Sequence, residues 1–285
     1  MSEPTSVAVI GVGRMGGPIA GNLINAGYDV RVFDVSAEAV AELVALGAVA
    51  ATTPAEAAHG AAVVCVVVFD DDQTREVLTG SDGVLGVLAA GAVVAVHTTV
   101  SIETIRDLAV AGEAVGVAVL DAGVSGGEEG AQAGTLLTMV GGADDAVARV
   151  TPVLMAFSKD VIHAGDVGAG MALKLARNAS GYMMMAAIHE AMVLAESSGV
   201  DLALLRRTID ETGVFAQALS PFMLGGPAPL PQDAPSGFRT MLNHVRDLGE
   251  KDLDQALALA RHTGVELSVA ERTRETFGRV MRLAD

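Results

Sequence analysis

The sequence predicts an α/β chain in two parts: a doubly wound sheet over residues 1–164, then an all-α domain over residues 165–285, joined by one long interdomain helix. Three observations predict it. Short apolar runs alternate with helical stretches as far as His163, and no strand-like run follows Gly199. The first run passes straight into a glycine-rich turn and a helix. Residues 165–199, GDVGAGMALKLARNASGYMMMAAIHEAMVLAESSG, contain no proline and are rich in Ala, Met and Leu, the composition of a continuous helix.

Val7–Ile10 is the first strand. It leads into Gly11-Val12-Gly13-Arg14-Met15-Gly16, a helical stretch to Gly27, and a second strand, Tyr28–Phe33, which ends at Asp34. In such a turn Gly11 permits the tight bend, Gly13 lets the backbone approach a pyrophosphate, and Gly16 lets helix and strand pack closely. The helix N-terminus then faces the phosphates with unpaired N–H groups. Taken alone the glycine pattern is an ordinary turn. With the flanking strand and helix, and an acid eighteen residues after Gly16, it reads as a Rossmann-type dinucleotide site. Asp34 suits the adenosine ribose hydroxyls and repels a 2′-phosphate. Val35 and Ser36 supply no arginine to receive one, so NAD is favoured over NADP.

A helix at about 37–46 and a short turn and helix in TTPAEAAHG follow. Ala62–Val68 is a fully apolar strand of the kind buried on both faces of a parallel sheet. Asp70, Asp71 and Asp72 after it read as a solvated helix start. Val93–Val96 and Val115–Leu120 are further strands, and Leu136–Val140 and Val161–His163 complete the sheet. Ligands of open α/β sheets lie beyond the carboxyl ends of the strands. A substrate is therefore expected at the loops after Val68, at His97–Ser101 and at Asp121–Gly127. Ser125-Gly126-Gly127 reads as a small anion cradle of backbone N–H groups with one hydroxyl, or else as a tight turn. His97 reads equally as a satisfied polar residue at a strand end or as a catalytic one.

In the long helix Asp166 is the expected N-cap and Gly199 the stop. Some 30 residues at ~1.5 Å each span about 45 Å, more than one small core requires, so the helix is expected between two bodies. Lys174 and Asn178 stand at i and i+4, on one face. Met183, Met184 and Met185 read as core or dimer interface rather than as a cofactor box, and a homodimer is expected. Helices are predicted at 201–212, 214–223, 241–262 and 268–283, with a Pro- and Gly-rich loop at 225–236.

Half of the 285 residues are hydrophobic and 19% are charged, which builds a real core. A formal net charge of −17 argues against nucleic acid and anionic membrane as partners. An anionic substrate then needs a local cationic site. The single Cys65, in an apolar run, permits no internal disulfide and fits a reducing compartment. No basic leader and no spanning apolar run is read, so a soluble, cytoplasmic protein is expected.

Four segments, in order and over nearly the whole chain, resemble the β-hydroxyacid dehydrogenase family, whose members include 3-hydroxyisobutyrate dehydrogenase and tartronate semialdehyde reductase. GVGRMGGPIAGNLINAGYDV is similar to the family's GxGxMGxxMAxNLxxxGHxV opening, and DAGVSGGEEGAQAGTL to DAPVSGGxxGAxxGTL. GDVGAGMALKLARN is similar to GxxGxGxxxKxxxN, and EKDLDQALALA to KDLxLAxxxA. The resemblance implies that Lys174 is the catalytic lysine, with Asn178 orienting the substrate. It implies that Ser125, Gly126 and Gly127 hold the substrate carboxylate and that Lys251 approaches the nicotinamide end. Val68, Phe69 and Thr99 then line the cofactor, with Gly11, Gly13, Met15 and Asp34 in the dinucleotide turn. Gly123 stands where the signature has Pro, which is expected to loosen that loop. Ile102 replaces a second proline, and the 225–236 loop follows no family pattern.

The activity so implied is reversible oxidation of a small β-hydroxyacid, with hydride passing to the nicotinamide and the hydroxyl proton to Lys174. Burial and a second cation, Lys251, are expected to lower the Lys174 pKa. An imine reductase on the same scaffold is the nearest rival, and the resemblance implies that such enzymes lack this lysine. A non-catalytic dinucleotide-binding module would tolerate loss of Lys174 or of Ser-Gly-Gly, and neither is lost. A decarboxylating dehydrogenase of the 6-phosphogluconate type is disfavoured by the sparse basic residues and the short helical half.

Overall fold

The computed structural model describes residues 5–214 and 228–283. The chain forms two compact units, Met1–Asn178 and Ala179–Asp285. The first turns of the long helix pack on the sheet and so belong to the first unit.

The first unit is built on eight strands in the order β3-β2-β1-β4-β5-β6-β7-β8. They are β1 (Ser6–Ile10), β2 (Asp29–Phe33), β3 (Val49–Ala50), β4 (Val63–Val66), β5 (Val93–Val96), β6 (Ala118–Ser125), β7 (Leu136–Gly141) and β8 (Ser158–Gly165). The strands from β3 across to β6 are mutually parallel, β7 runs antiparallel to β6, and β8 is parallel to β7. Helices α1 (Gly16–Asn25), α2 (Ala37–Ala45), α3 (Pro54–Ala58), α4 (Asp71–Thr79), α5 (Ile102–Glu113), α6 (Gly127–Gln132) and α7 (Asp144–Leu154) connect them.

Strand alternation explains why helices are needed on both faces. Val7, Val9, Val63, Cys65, Val93 and Ala95 turn to one face and meet Ile19 and Leu23 of α1. Ala8, Ile10, Val64, Val66, Val94 and Val96 turn to the other and meet Leu78 of α4 and Ile105 of α5. The strand order reverses at β1 beside β4, so the turns after these two strands adjoin.

Several expectations need correction. β4 stops at Val66, because the Val68 N–H donates to Thr98 Oγ1 and the Thr98 hydroxyl donates back to the Val68 carbonyl, both at 3.0 Å. This clamp replaces the strand ladder. β6 continues to Ser125, through the expected loop at Asp121–Gly127, because it pairs with β7 from Asp121↔Gly141 to Ser125↔Leu137. Pairing overrides the poor strand propensity of Asp-Ala-Gly-Val-Ser. Gly123 therefore lies in a strand and loosens nothing.

The long helix, α8 (Ala169–Ser197), begins three residues after Asp166, which does not cap it. Asp121, at the middle of β6, takes that role. Its Oδ1 accepts from the Gly168 N–H at 2.7 Å and its Oδ2 from the Met171 N–H at 2.6 Å.

The second unit contains the rest of α8, then α9 (Leu202–Thr212), α10 (Ser236–Thr263) and α11 (Ser268–Val280). The helix expected at 214–223 and part of the 225–236 loop lie outside the described residues, apart from Val214 at one end and 228–235 at the other. Glu190 of α8 accepts the Val269 and Ala270 N–H groups at 2.7 and 3.0 Å and so caps α11. Tyr182, Met183 and Met185 are about two-thirds exposed, so the methionine run is not core. No helix among the described residues is long and apolar enough to cross a membrane.

Candidate active site

Two clefts meet on the first unit along a wall made by Met15 and Val67–Phe69. The first, about 730 Å³, is lined by the glycine turn, including Gly11 and Gly13, and by Asp34 and Val35. The second, about 650 Å³, brings together Ser125, Gly126, Gly127, Thr99, Lys174 and Asn178. Lys251 belongs to the second unit, on α10, where it is exposed and pairs with Asp252 at 3.2 Å.

The glycine turn is a packed object. Gly11 has φ +86°, and a Cβ there would stand 2.4 Å from the Val67 carbonyl oxygen. A Cβ on Gly16 would stand 1.9 Å from the Gly11 carbonyl oxygen, so helix and turn touch backbone to backbone. Gly13 has open space where a side chain would be, the room a pyrophosphate needs. Asp34 is held by two backbone N–H groups. Its Oδ2 accepts from the Val12 N–H at 2.7 Å and its Oδ1 from the Ser36 N–H at 2.8 Å, which staples the turn to the end of β2. Each oxygen keeps a second lone pair for a ligand.

Lys174 lies on α8 two turns after the Asp121 cap and is buried, with 8% of its surface exposed. Burial holds its pKa below the ordinary lysine value. Its aliphatic stem lies flat on β6: a Cβ at Gly123 would stand 2.6 Å from Lys174 Cδ and 3.3 Å from its Cβ. Asp121 is itself fully buried. Burial raises its pKa, while its backbone donors, Gly168 first, pull the other way.

His97 lines the same cleft but is sealed in protein. Its Nδ1 lies 2.7 Å from the Ala122 carbonyl, which can only accept, so Nδ1 carries the proton. Phe157 stacks edge-on at 5.6 Å, and Nε2 is buried with no partner among the described residues. Burial lowers its pKa to about 4; the Ala122 hydrogen bond pulls the other way, and the charge of Lys174 adds a smaller lowering. Neutral His97 is therefore a packed strand-end residue, and a cationic role in the working pH range is closed to it. The unfolded chain takes up this proton near pH 6.5 and the folded one only near 4. Stability should fall as pH drops through that window, by up to roughly 3 kcal/mol from this group. Thermal unfolding of wild type and His97→Asn between pH 4 and 6.5 measures it; equal slopes would remove the assignment.

Sequence reasoning passed over Asp121, Thr98 and Arg177. Asp121 follows the apolar run VAVL, and a carboxylate directly after such a run is its signal in the sequence. The Thr98 clamp fixes Val68 beside both clefts and had no sequence signal. Arg177 lines the second cleft beside Asn178 and lay unremarked inside the KLARN segment.

Residues 6–165 match the family described as the NAD binding domain of 6-phosphogluconate dehydrogenase. Residues 168–284 match the family described as NAD-binding of NADP-dependent 3-hydroxyisobutyrate dehydrogenase. The chain is similar to 3-hydroxyisobutyrate dehydrogenase of Pseudomonas aeruginosa, 36% identical over 96% of this chain and 91% of that protein. Among solved structures it is similar to an oxidoreductase of Mycobacterium avium, 35% identical with a TM-score of 0.85, over 98% of this chain and 99% of that one. An imine reductase of Myxococcus stipitatus shares the fold at a TM-score of 0.80 and 20% identity, over 96% of this chain and 92% of that one.

Proposed function

The chain belongs to the β-hydroxyacid dehydrogenase family of NAD(P)-dependent oxidoreductases, and from that premise we propose that Lys174 is its general acid and base toward a small β-hydroxyacid. One observation carries the reading: buried Lys174 stands in a cleft whose wall, Met15 and Val67–Phe69, is shared with the dinucleotide groove. A substrate held in one cleft and a dinucleotide held in the other would meet along that wall.

A dinucleotide held by the glycine turn and Asp34 would supply the acceptor for the hydride released from the carbinol carbon. Lys174, as neutral amine, takes the hydroxyl proton at Nζ; in the reverse direction its ammonium returns it. Ser125, Gly126 and Gly127 hold the carboxylate, and Asn178 orients the hydroxyl end. Thr99 lies against the nicotinamide side. Lys251 keeps the role that the family resemblance implies, and a second copy of the chain covers the exposed Tyr182–Met185 face to give a homodimer. Lys174 argues against imine reduction, and the similarity to imine reductases carries the fold alone. The test is NAD and NADP reduction over 3-hydroxyisobutyrate, glycerate, 3-hydroxypropionate and 4-hydroxybutyrate. Turnover of none of them, nor of a dianionic homologue such as 2-(hydroxymethyl)succinate, would reject the reading.

We also assign NAD as the preferred cofactor. Asp34 stands at the end of β2, and Val35 beside it is almost fully exposed and uncharged. The cation among the groove's lining residues, Arg14, pairs with Glu128 at 3.1 Å. A 2′-phosphate about 4 Å from the carboxylate meets roughly 1–4 kcal/mol of repulsion per unit charge between water-like and surface dielectrics. That corresponds to a preference of about fivefold to several hundredfold. kcat/KM with each cofactor measures it, and a preference for NADP would overturn the assignment.

A further inference from the structure

Against a formal net charge of −17, the cleft around Lys174 is lined by two cations, Lys174 and Arg177, and by no carboxylate among the described residues. Arg177 follows Lys174 by three residues, so the two share one helical face. Its Nη1 donates to Asn178 Oδ1 at 3.2 Å, which holds the carbonyl end of that amide and leaves the NH2 end for a ligand.

These two cations are not equivalent. Lys174 is buried, its pKa is lowered, and it exchanges a proton in each turnover, so it is a poor fixed counter-charge. Arg177 is exposed, and a guanidinium is a cation that does not serve as a proton carrier and whose planar fork matches a pair of oxyanion oxygens. One carboxylate is already provided for by the backbone N–H groups at Ser125–Gly127, on β6 and α6 rather than on α8. A cation that the reaction does not discharge, on a different element of the same cleft, is a second anion-reading position.

We propose that Arg177 selects a hydroxyacid with a second anionic group, a carboxylate or sulfonate, at the end remote from the carboxylate held by Ser125–Gly127. This rests on the reading of the cleft as a hydroxyacid site. It narrows the substrate class from small monoanions to dianions. It also explains why an acidic chain keeps acids out of this cleft.

The test compares two substrates that differ in one terminal group, 2-(hydroxymethyl)succinate and 2-(hydroxymethyl)butyrate, on the full chain with NAD. The expected ratio of kcat/KM, dianion over monoanion, is about tenfold or more in wild type. Arg177→Gln should bring the ratio down at least tenfold, Arg177→Lys should restore part of it, and Arg177→Glu should invert it. The matching sulfonate tells whether the subsite requires a carboxylate. A ratio near one in wild type, or a ratio unchanged in Arg177→Gln, overturns the inference while leaving the dehydrogenase reading intact. Calorimetric binding of succinate against butyrate to the NADH-loaded protein separates the two failures. Succinate binding that Arg177→Gln abolishes, without turnover of any hydroxyacid, would sustain the Arg177 assignment and reject the reaction. Equal binding of succinate to wild type and Arg177→Gln would reject the assignment whatever the turnover.

Discussion

Replacing Lys174 by alanine is expected to lower kcat by about 10²–10⁴-fold in both directions, the usual worth of a positioned acid or base, while NAD binding stays. The proposed dinucleotide residues, the glycine turn and Asp34, line the other cleft, and Lys174 lines only the neighbouring one. The pH dependence follows from burial. Oxidation needs the neutral amine, so its rate should rise with pH and level off above the lowered Lys174 pKa. Reduction needs the ammonium, so its rate should be full below that value and fall as pH rises through it. His97 cannot supply this limb, because it has already lost its proton above about pH 4. Lys174→Arg keeps the charge but cannot release a proton near neutrality, so oxidation should remain as weak as in the alanine variant. Steady-state rates in both directions from pH 6 to 10 decide the matter. Wild-type rates in Lys174→Ala would remove the lysine from the mechanism.

Gly123→Ala should damage catalysis while sparing the fold. The added Cβ would stand 2.6 Å from Lys174 Cδ, and its nearest neighbours are all atoms of that side chain. A lysine stem can move, whereas β6, paired along its length to β5 and β7, cannot follow. The strand therefore holds and the ammonium is displaced. Misplacing a catalytic group by about 1 Å costs on the order of 10²-fold. The expected variant unfolds near the wild-type temperature, binds NAD normally and has kcat lowered by about that factor. Unchanged kcat would show that Nζ reaches its position from more than one stem conformation. A large loss of stability would show that the backbone, not the lysine, gives way.

The sequence by itself determined the alternation that makes the sheet, because a strand buried on both faces must be apolar throughout, as VVCV and VVAV are. It determined the dinucleotide turn, since tight backbone approach restricts Gly11 and Gly16 to a residue without Cβ. It also made Lys174 visible, because a cation within an apolar helix stands out against its neighbours. Tertiary structure alone decided what surrounds that lysine. The extension of β6 to Ser125 depends on its pairing with β7, a partner that no local pattern specifies. That pairing sets Gly123 under the Lys174 stem, puts Asp121 where the first amides of α8 arrive from 47 and 50 residues away, and closes protein around His97. Burial of a charge and capping across such distances come from the meeting of elements remote in the chain. Lys174 named itself in the sequence, and Arg177 stands one helical turn from it by spacing alone; the burial that lowers the Lys174 pKa was settled only when strand and helix met.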